Sequence, residues 1–152
     1  MISKPKTTVA GIYGAGGNEA GDNPTLEKVV KAQGGKMFTS SYSGGDDEII
    51  DYLKQGFKKG NRLKIYGYSR GGAAAVRIAN KLGAMNVHIS EVNLYDPVSL
   101  DGNLVFNYPN VTTVNYYYER NPTDLLRSGF NANNPFMGSP VSANFHGQQS
   151  IK

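Results

Sequence analysis

Residues 65–75 read IYGYSRGGAAA. A run of β-branched and aromatic residues meets one serine held between glycines and passes into alanine, the signature of a strand that turns sharply into a helix. The same alternation extends in both directions. Upstream, TTVAGIYG is a strand, GAGGNEAGDN a loop, and PTLEKVVKAQGG a helix with Asn23 as N-cap, Pro24 at its first position and Gly34 at its stop. KMFTSSYS reads as a second strand and GDDEIIDYLKQGFKKG as a second helix, with acids in its first turn and lysines in its last, as the helix dipole favours. Downstream, the helix opened by Ser69 closes at Gly83, and HISEVNLYD and VTTVNYYY are two more strands joined without a clear helix. The tail NFHGQQSIK is expected to form a final helical turn. Strand–helix alternation of this kind predicts an α/β three-layer sandwich with a mainly parallel sheet.

The 152 residues fit a single domain, which buries about two-thirds of its unfolded surface. Hydrophobic residues at 39% and charged residues at 18% are ordinary for a folded chain. The absence of cysteine excludes a disulfide framework, a thiolate nucleophile and thiolate metal sites, leaving hydroxyl, carboxylate and imidazole chemistry. No stretch is apolar enough for a signal peptide or a transmembrane helix, so the expectation is a cytoplasmic protein. The net charge of +4 is spread along the chain, which argues for a solvated basic surface rather than a nucleic-acid site. Gly14 and Gly16 begin a dinucleotide fingerprint, but Glu19 stands where its third glycine belongs and no phosphate-loop motif occurs. No cofactor and no metal are expected.

Position gives Ser69 its interest. In a parallel α/β sheet ligands bind beyond the carboxyl ends of the strands, where this serine sits. Gly67-Tyr68-Ser69-Arg70-Gly71 fits the nucleophile elbow, in which a tight turn lifts the serine above the sheet and small flanking residues let helix and strand close up. The five-residue pattern is weak by itself in a chain with nineteen glycines; the strand before it, the helix after it and the glycine loop upstream carry it. The Arg70 backbone N–H, at the positive end of the helix, is placed to donate to an oxyanion, and the loop around Ala15 and Gly16 is the candidate for the second donor.

A serine hydroxyl needs an imidazole to take its proton, and the chain offers His88 and His146. Eight strand steps separate His88 from Asp96, about 26 Å at roughly 3.3 Å each, which puts His88 at the far edge of the sheet. His146 follows the last strand and is the expected base. For the carboxylate that orients it, Asp96 in NLYDPV lies at the carboxyl end of the strand after the serine's; Asp124, in ERNPTDLL, is the rival, and Glu119 a weaker one.

With GYSRGG, YDPV, VNYYYERNPTDLLRSG and NFHGQQSI in that order, the chain resembles the α/β-hydrolase superfamily, and within it small lipase- or esterase-like members. The resemblance runs from about Thr8 to Ile151. It implies a minimal α/β-hydrolase fold without a helical lid, with Ser69 as nucleophile, Asp96 as acid and His146 as base. The expected function is a serine hydrolase cleaving a small-molecule carboxylic ester or thioester through an acyl-enzyme. Two alternatives stand beside it: a non-catalytic binding module on the same scaffold, and an acyltransferase or amidase using the same triad.

Overall fold

The computed structural model describes residues 6–14, 24–39, 46–99, 104–117, 139–140, 143–144 and 148–151. Six strands form one sheet: β1 (Thr7–Ile12), β2 (Lys36–Phe38), β3 (Arg62–Tyr68), β4 (Ile89–Tyr95), β7 (Val111–Tyr117) and β10 (Gln148–Ile151). Their order is β10-β7-β4-β3-β1-β2, and every pairing is parallel. Three helices connect them: α1 (Pro24–Ala32), α2 (Asp46–Lys58) and α3 (Arg70–Ala84).

The layering follows from the direction of each crossover. From β1 the chain steps outward to β2, whereas β2 to β3 and β3 to β4 run the other way. Right-handed crossovers therefore set α1 on one face and α2 and α3 on the other, and a three-layer α/β sandwich results. Side chains alternate accordingly. Ala10 and Ile12 of β1, Leu63 and Ile65 of β3, and Val92 and Leu94 of β4 pack with Ile49 and Leu53 of α2 and Ile78 and Leu82 of α3. Val9 and Tyr66 point the other way, onto Leu26 and Val30 of α1. Burial of so many aliphatic side chains between α2, α3 and the sheet is the main source of stability, at about 1.5–3 kcal/mol for each large one.

Between β4 and β7 the chain makes two short strands, β5 (Val98–Ser99) and β6 (Leu104–Val105), which pair with β8 (Ser139–Pro140) and β9 (Ala143–Asn144), antiparallel and parallel respectively. No helix covers this crossover among the described residues; Phe106, 1% exposed, joins the core that packs α2 and α3 on the sheet. Asn80 of α3 pins the segment. Its Nδ2 donates to the Val105 carbonyl at 2.8 Å, and its Oδ1 accepts from the Asn107 N–H at 2.8 Å.

Two expectations are corrected. The described part of the tail is not a helical turn: Gln148–Ile151 is a strand paired with β7 from Gln148–Thr113 to Ile151–Tyr116. An open row of N–H and C=O groups on β7 is completed by this pairing, a tertiary gain that the polar local sequence does not display. Gly83 does not close α3 either. The helix runs to Ala84, and the left-handed residue that ends it is Asn86, φ 59°. Gly83 lies inside the helix, where the Tyr108 side chain approaches so closely that a Cβ would sit 2.6 Å from it. The expected N-cap Asn23 lies outside the described residues. No helix among the described residues is long and apolar enough to cross a membrane.

Candidate functional site

The order of the sheet reverses between β1 and β3, and the crevice outside the carboxyl ends at such a reversal is where open α/β sheets bind ligands. Ser69 lies there, between the last residue of β3 and the first of α3. Its φ of 55° and ψ of −118° are those of the first central residue of a type II′ turn, normally a glycine position. A side chain held there costs about 1–3 kcal/mol and persists only because the surroundings impose it. The surroundings are backbone. A Cβ on Gly67 would meet the Gly71 carbonyl oxygen at 2.3 Å, and one on Gly71 would meet the Ile12 and Tyr13 carbonyl oxygens at 2.3 and 2.6 Å. Thus β3, the start of α3 and the end of β1 touch main chain to main chain, and only glycine at 67 and 71 permits it. The Gly72 N–H then donates to the Ser69 carbonyl at 2.9 Å, beginning the helix.

Asp96 occupies the matching place on the next strand. Tyr68 pairs with Tyr95 and Tyr95 with Tyr117, so Ser69 and Asp96 are each one step past a paired strand end. The Ser69 N–H donates to the Tyr95 carbonyl at 2.9 Å and the Asp96 N–H to the Tyr117 carbonyl at 2.8 Å, carrying the ladder into both residues. Both are buried, at 7% and 8% exposure. Asp96 is also left-handed, φ 44°, a conformation that a short polar side chain tolerates better than most.

Beside this edge, on the α1 face, three tyrosines stack across the strands. Tyr66 and Tyr95 have ring centroids 6.5 Å apart; Tyr95 and Tyr117 lie 4.4 Å apart and 11° from parallel. Burial pushes the Tyr117 hydroxyl pKa up, and Glu91 and Tyr66 push it the same way. Burial likewise pulls the Arg70 guanidinium down from its usual range. One layer below the rings, Asn115 Nδ2 donates to Asn93 Oδ1 at 2.8 Å and to Glu91 Oε1 at 3.1 Å, and Glu91 pairs with Lys64 at 3.3 Å. This polar ladder was missed in the sequence, although its signal is there: Glu91, Asn93 and Tyr95 alternate with apolar residues, as do Thr113, Asn115 and Tyr117.

Of the residues singled out in the sequence, Ser69, Arg70 and Asp96 come to one edge. His146, Asp124, Glu119, Ala15 and Gly16 lie outside the described residues. His88 sits at the amino end of β4, exposed, with its Nε2 2.8 Å from Thr112 Oγ1, at the opposite edge from Ser69. A cavity of about 550 Å³ lies elsewhere, between α2 and α3, lined in part by Asp47, Asp51, Lys54 and Lys81. Among the described residues no three His, Asp or Glu side chains gather as a metal site. Comparison with protein-family models and with curated proteins finds no match for this chain.

Proposed function

We propose that the protein is a serine hydrolase of α/β-hydrolase type that cleaves a carboxylic ester or thioester through an acyl-enzyme. The observation that carries this reading is the backbone of Ser69: a serine at φ 55°, ψ −118°, in a glycine's conformation, at the carboxyl end of a central parallel strand and the start of a helix. Nothing about folding calls for a side chain there, since glycine would be cheaper. A strained non-glycine residue at a sheet's ligand-binding edge is the pattern of a residue kept for its chemistry.

In this reading the Ser69 hydroxyl attacks the acyl carbonyl while His146 takes its proton. The oxyanion accepts from the Arg70 N–H at the start of α3 and from a second N–H in the loop at Ala15 and Gly16. The protonated imidazole then gives its proton to the departing alcohol or thiol, and water repeats the sequence to free the acid and restore Ser69. Asp96 holds the imidazole in the tautomer that can accept; Asp124 remains the alternative. The parallel register of β3 and β4 supports Asp96, because it sets Ser69 and Asp96 at the same level on adjacent strands.

The test is labelling of the full chain by a fluorophosphonate probe, with turnover of a p-nitrophenyl ester and the corresponding anilide. Labelling that disappears in Ser69→Ala, with ester cleaved much faster than anilide, is the expected result. A folded wild-type protein that is neither labelled nor active would leave the binding-module alternative in its place.

A further inference from the structure

Between the serine's helix and the aspartate's strand lies a contact that the triad reading does not use. Gly72 is the third residue of α3 and Pro97 directly follows Asp96. A Cβ built on Gly72 would lie 2.8 Å from Pro97 Cβ and 3.1 Å from Pro97 Cα. Both partners are buried, so neither can swing into solvent to relieve the overlap. Glycine is the poorest helix former after proline, yet the chain places one here, inside the first turn of the helix that carries the nucleophile.

We infer that Gly72 and Pro97 form a spacer that sets the separation of Ser69 from Asp96, with Gly72 acting as a positioning residue. The inference rests on the hydrolase reading above. Each side of the spacer is tied to a reacting group by a short, stiff link. On the helix side, the Gly72 N–H holds the Ser69 carbonyl at 2.9 Å, so a shift of Gly72 is passed to the serine's turn. On the strand side, Pro97 is bonded directly to Asp96, so a displacement of its ring is carried into the Asp96 backbone. Pro97 lodged against the bare face of Gly72 fixes where that backbone sits. Any side chain at 72 pushes Pro97 outward, and Asp96 moves with it.

The experiment compares wild type, Ser69→Ala, Gly72→Ala, Pro97→Gly and the Gly72→Ala/Pro97→Gly double variant as full chains. The readouts are p-nitrophenyl butyrate kinetics, the rate of fluorophosphonate labelling and far-ultraviolet circular dichroism. Gly72→Ala is expected to fold and to lose kcat on the order of a hundredfold, the scale of an ångström-sized misplacement, with KM little changed. Pro97→Gly is expected to lose less. In the double variant the new methyl enters the space vacated by the proline ring, and roughly tenfold of the lost kcat returns, the non-additivity of residues in contact. Replacing a merely structural glycine would lower stability and leave the kcat of the folded enzyme unchanged. Full kcat in Gly72→Ala, or a double variant no better than Gly72→Ala, overturns the spacer. Should Gly72→Ala fail to fold, unchanged kcat in Pro97→Gly overturns it instead, and reduced kcat at constant KM supports it. A labelled wild type with unaffected variants sinks the spacer alone; a wild type that reacts no faster than Ser69→Ala sinks the hydrolase reading and the spacer with it.

Discussion

The two edges of the sheet solve the same geometric problem with different residues. At the amino edge, where each helix hands back to a strand, the chain needs a left-handed residue two positions past the helix end. It uses Gly34 (φ 73°), Gly60 (φ 83°) and Asn86 (φ 59°), the residue types for which this conformation is cheapest. At the carboxyl edge the residues of positive φ are Ser69 and Asp96, which carry a hydroxyl and a carboxylate. In the proposed reading, the amino edge uses the residue types that cost least there, and the carboxyl edge gives up stability at Ser69 to hold a reactive group in place.

The strongest way to break this comparison is at Ser69. Ser69→Ala is expected to abolish ester hydrolysis while the protein stays folded, because removing one oxygen at this edge opens no core cavity. Ser69→Gly is expected to be equally inactive but more stable than Ser69→Ala by about 1–2 kcal/mol in thermal or urea unfolding, since glycine adopts the turn without strain. Equal stability of the two variants would show that the serine turn is not strained.

Asp96 is the next largest effect. Asp96→Asn is expected to lower kcat by roughly three to four orders of magnitude with KM little changed, the scale seen when an imidazole loses its orienting carboxylate. Asp124→Asn should cost about tenfold or less. A reversal of the two would transfer the acid's role to Asp124 and leave the hydrolase standing.

Smaller effects, on stability rather than turnover, are expected away from the carboxyl edge. Asp46 is buried at 6% exposure and ties α2 to α3 through two hydrogen bonds from Arg77, 2.6 and 2.9 Å, and one from Lys81, 3.1 Å. Burial pulls its pKa up, but the contacts with Arg77 and Lys81 outweigh burial and hold the carboxyl below its ordinary 3.8. A depressed carboxyl contributes stability above its unfolded pKa and loses it as pH falls through the folded value. Wild type should therefore lose this contribution below about pH 4. Asp46→Asn should be less stable at neutral pH by about 1–3 kcal/mol, because its cationic partners are partly exposed, and its deficit should shrink in acid. At the amino edge, Gly60→Ala is expected to cost about 1 kcal/mol and Asn86→Gly less than about 0.5 kcal/mol in urea unfolding. A large loss at Asn86 would erase the contrast between the edges.

The central elements were legible because local and tertiary signals agree in them. β3 is a β-branched and aromatic run cut by Gly67, α2 has acids at its start and Lys58 at its end, and the position of Asp96 one step past β4 follows from counting strand residues. β10 was illegible: three of its four residues, Gln148, Gln149 and Ser150, are polar, and it is a strand only because β7 offers an unpaired edge. At the site, the location of Ser69 and the place of His88 at the opposite edge were readable from spacing. The left-handed backbone of Asp96 and the contact of Pro97 with Gly72 were not, because they arise from the meeting of two strands and a helix far apart in sequence. Gly83 misled for a related reason: a glycine near a helix end reads as a stop, and nothing local announces that the Tyr108 side chain lies against it.

The tyrosine stack has an optical consequence. The chain contains ten tyrosines and no tryptophan, so its near-ultraviolet absorption and emission come chiefly from phenol rings, unmasked by indole. Tyr95 and Tyr117, 4.4 Å apart and almost parallel, are close enough for their transitions to couple, and Tyr95 immediately precedes Asp96. The protein thus carries a native chromophore pair at the carboxyl edge, and its near-ultraviolet circular dichroism reports on the order of that edge without any added label.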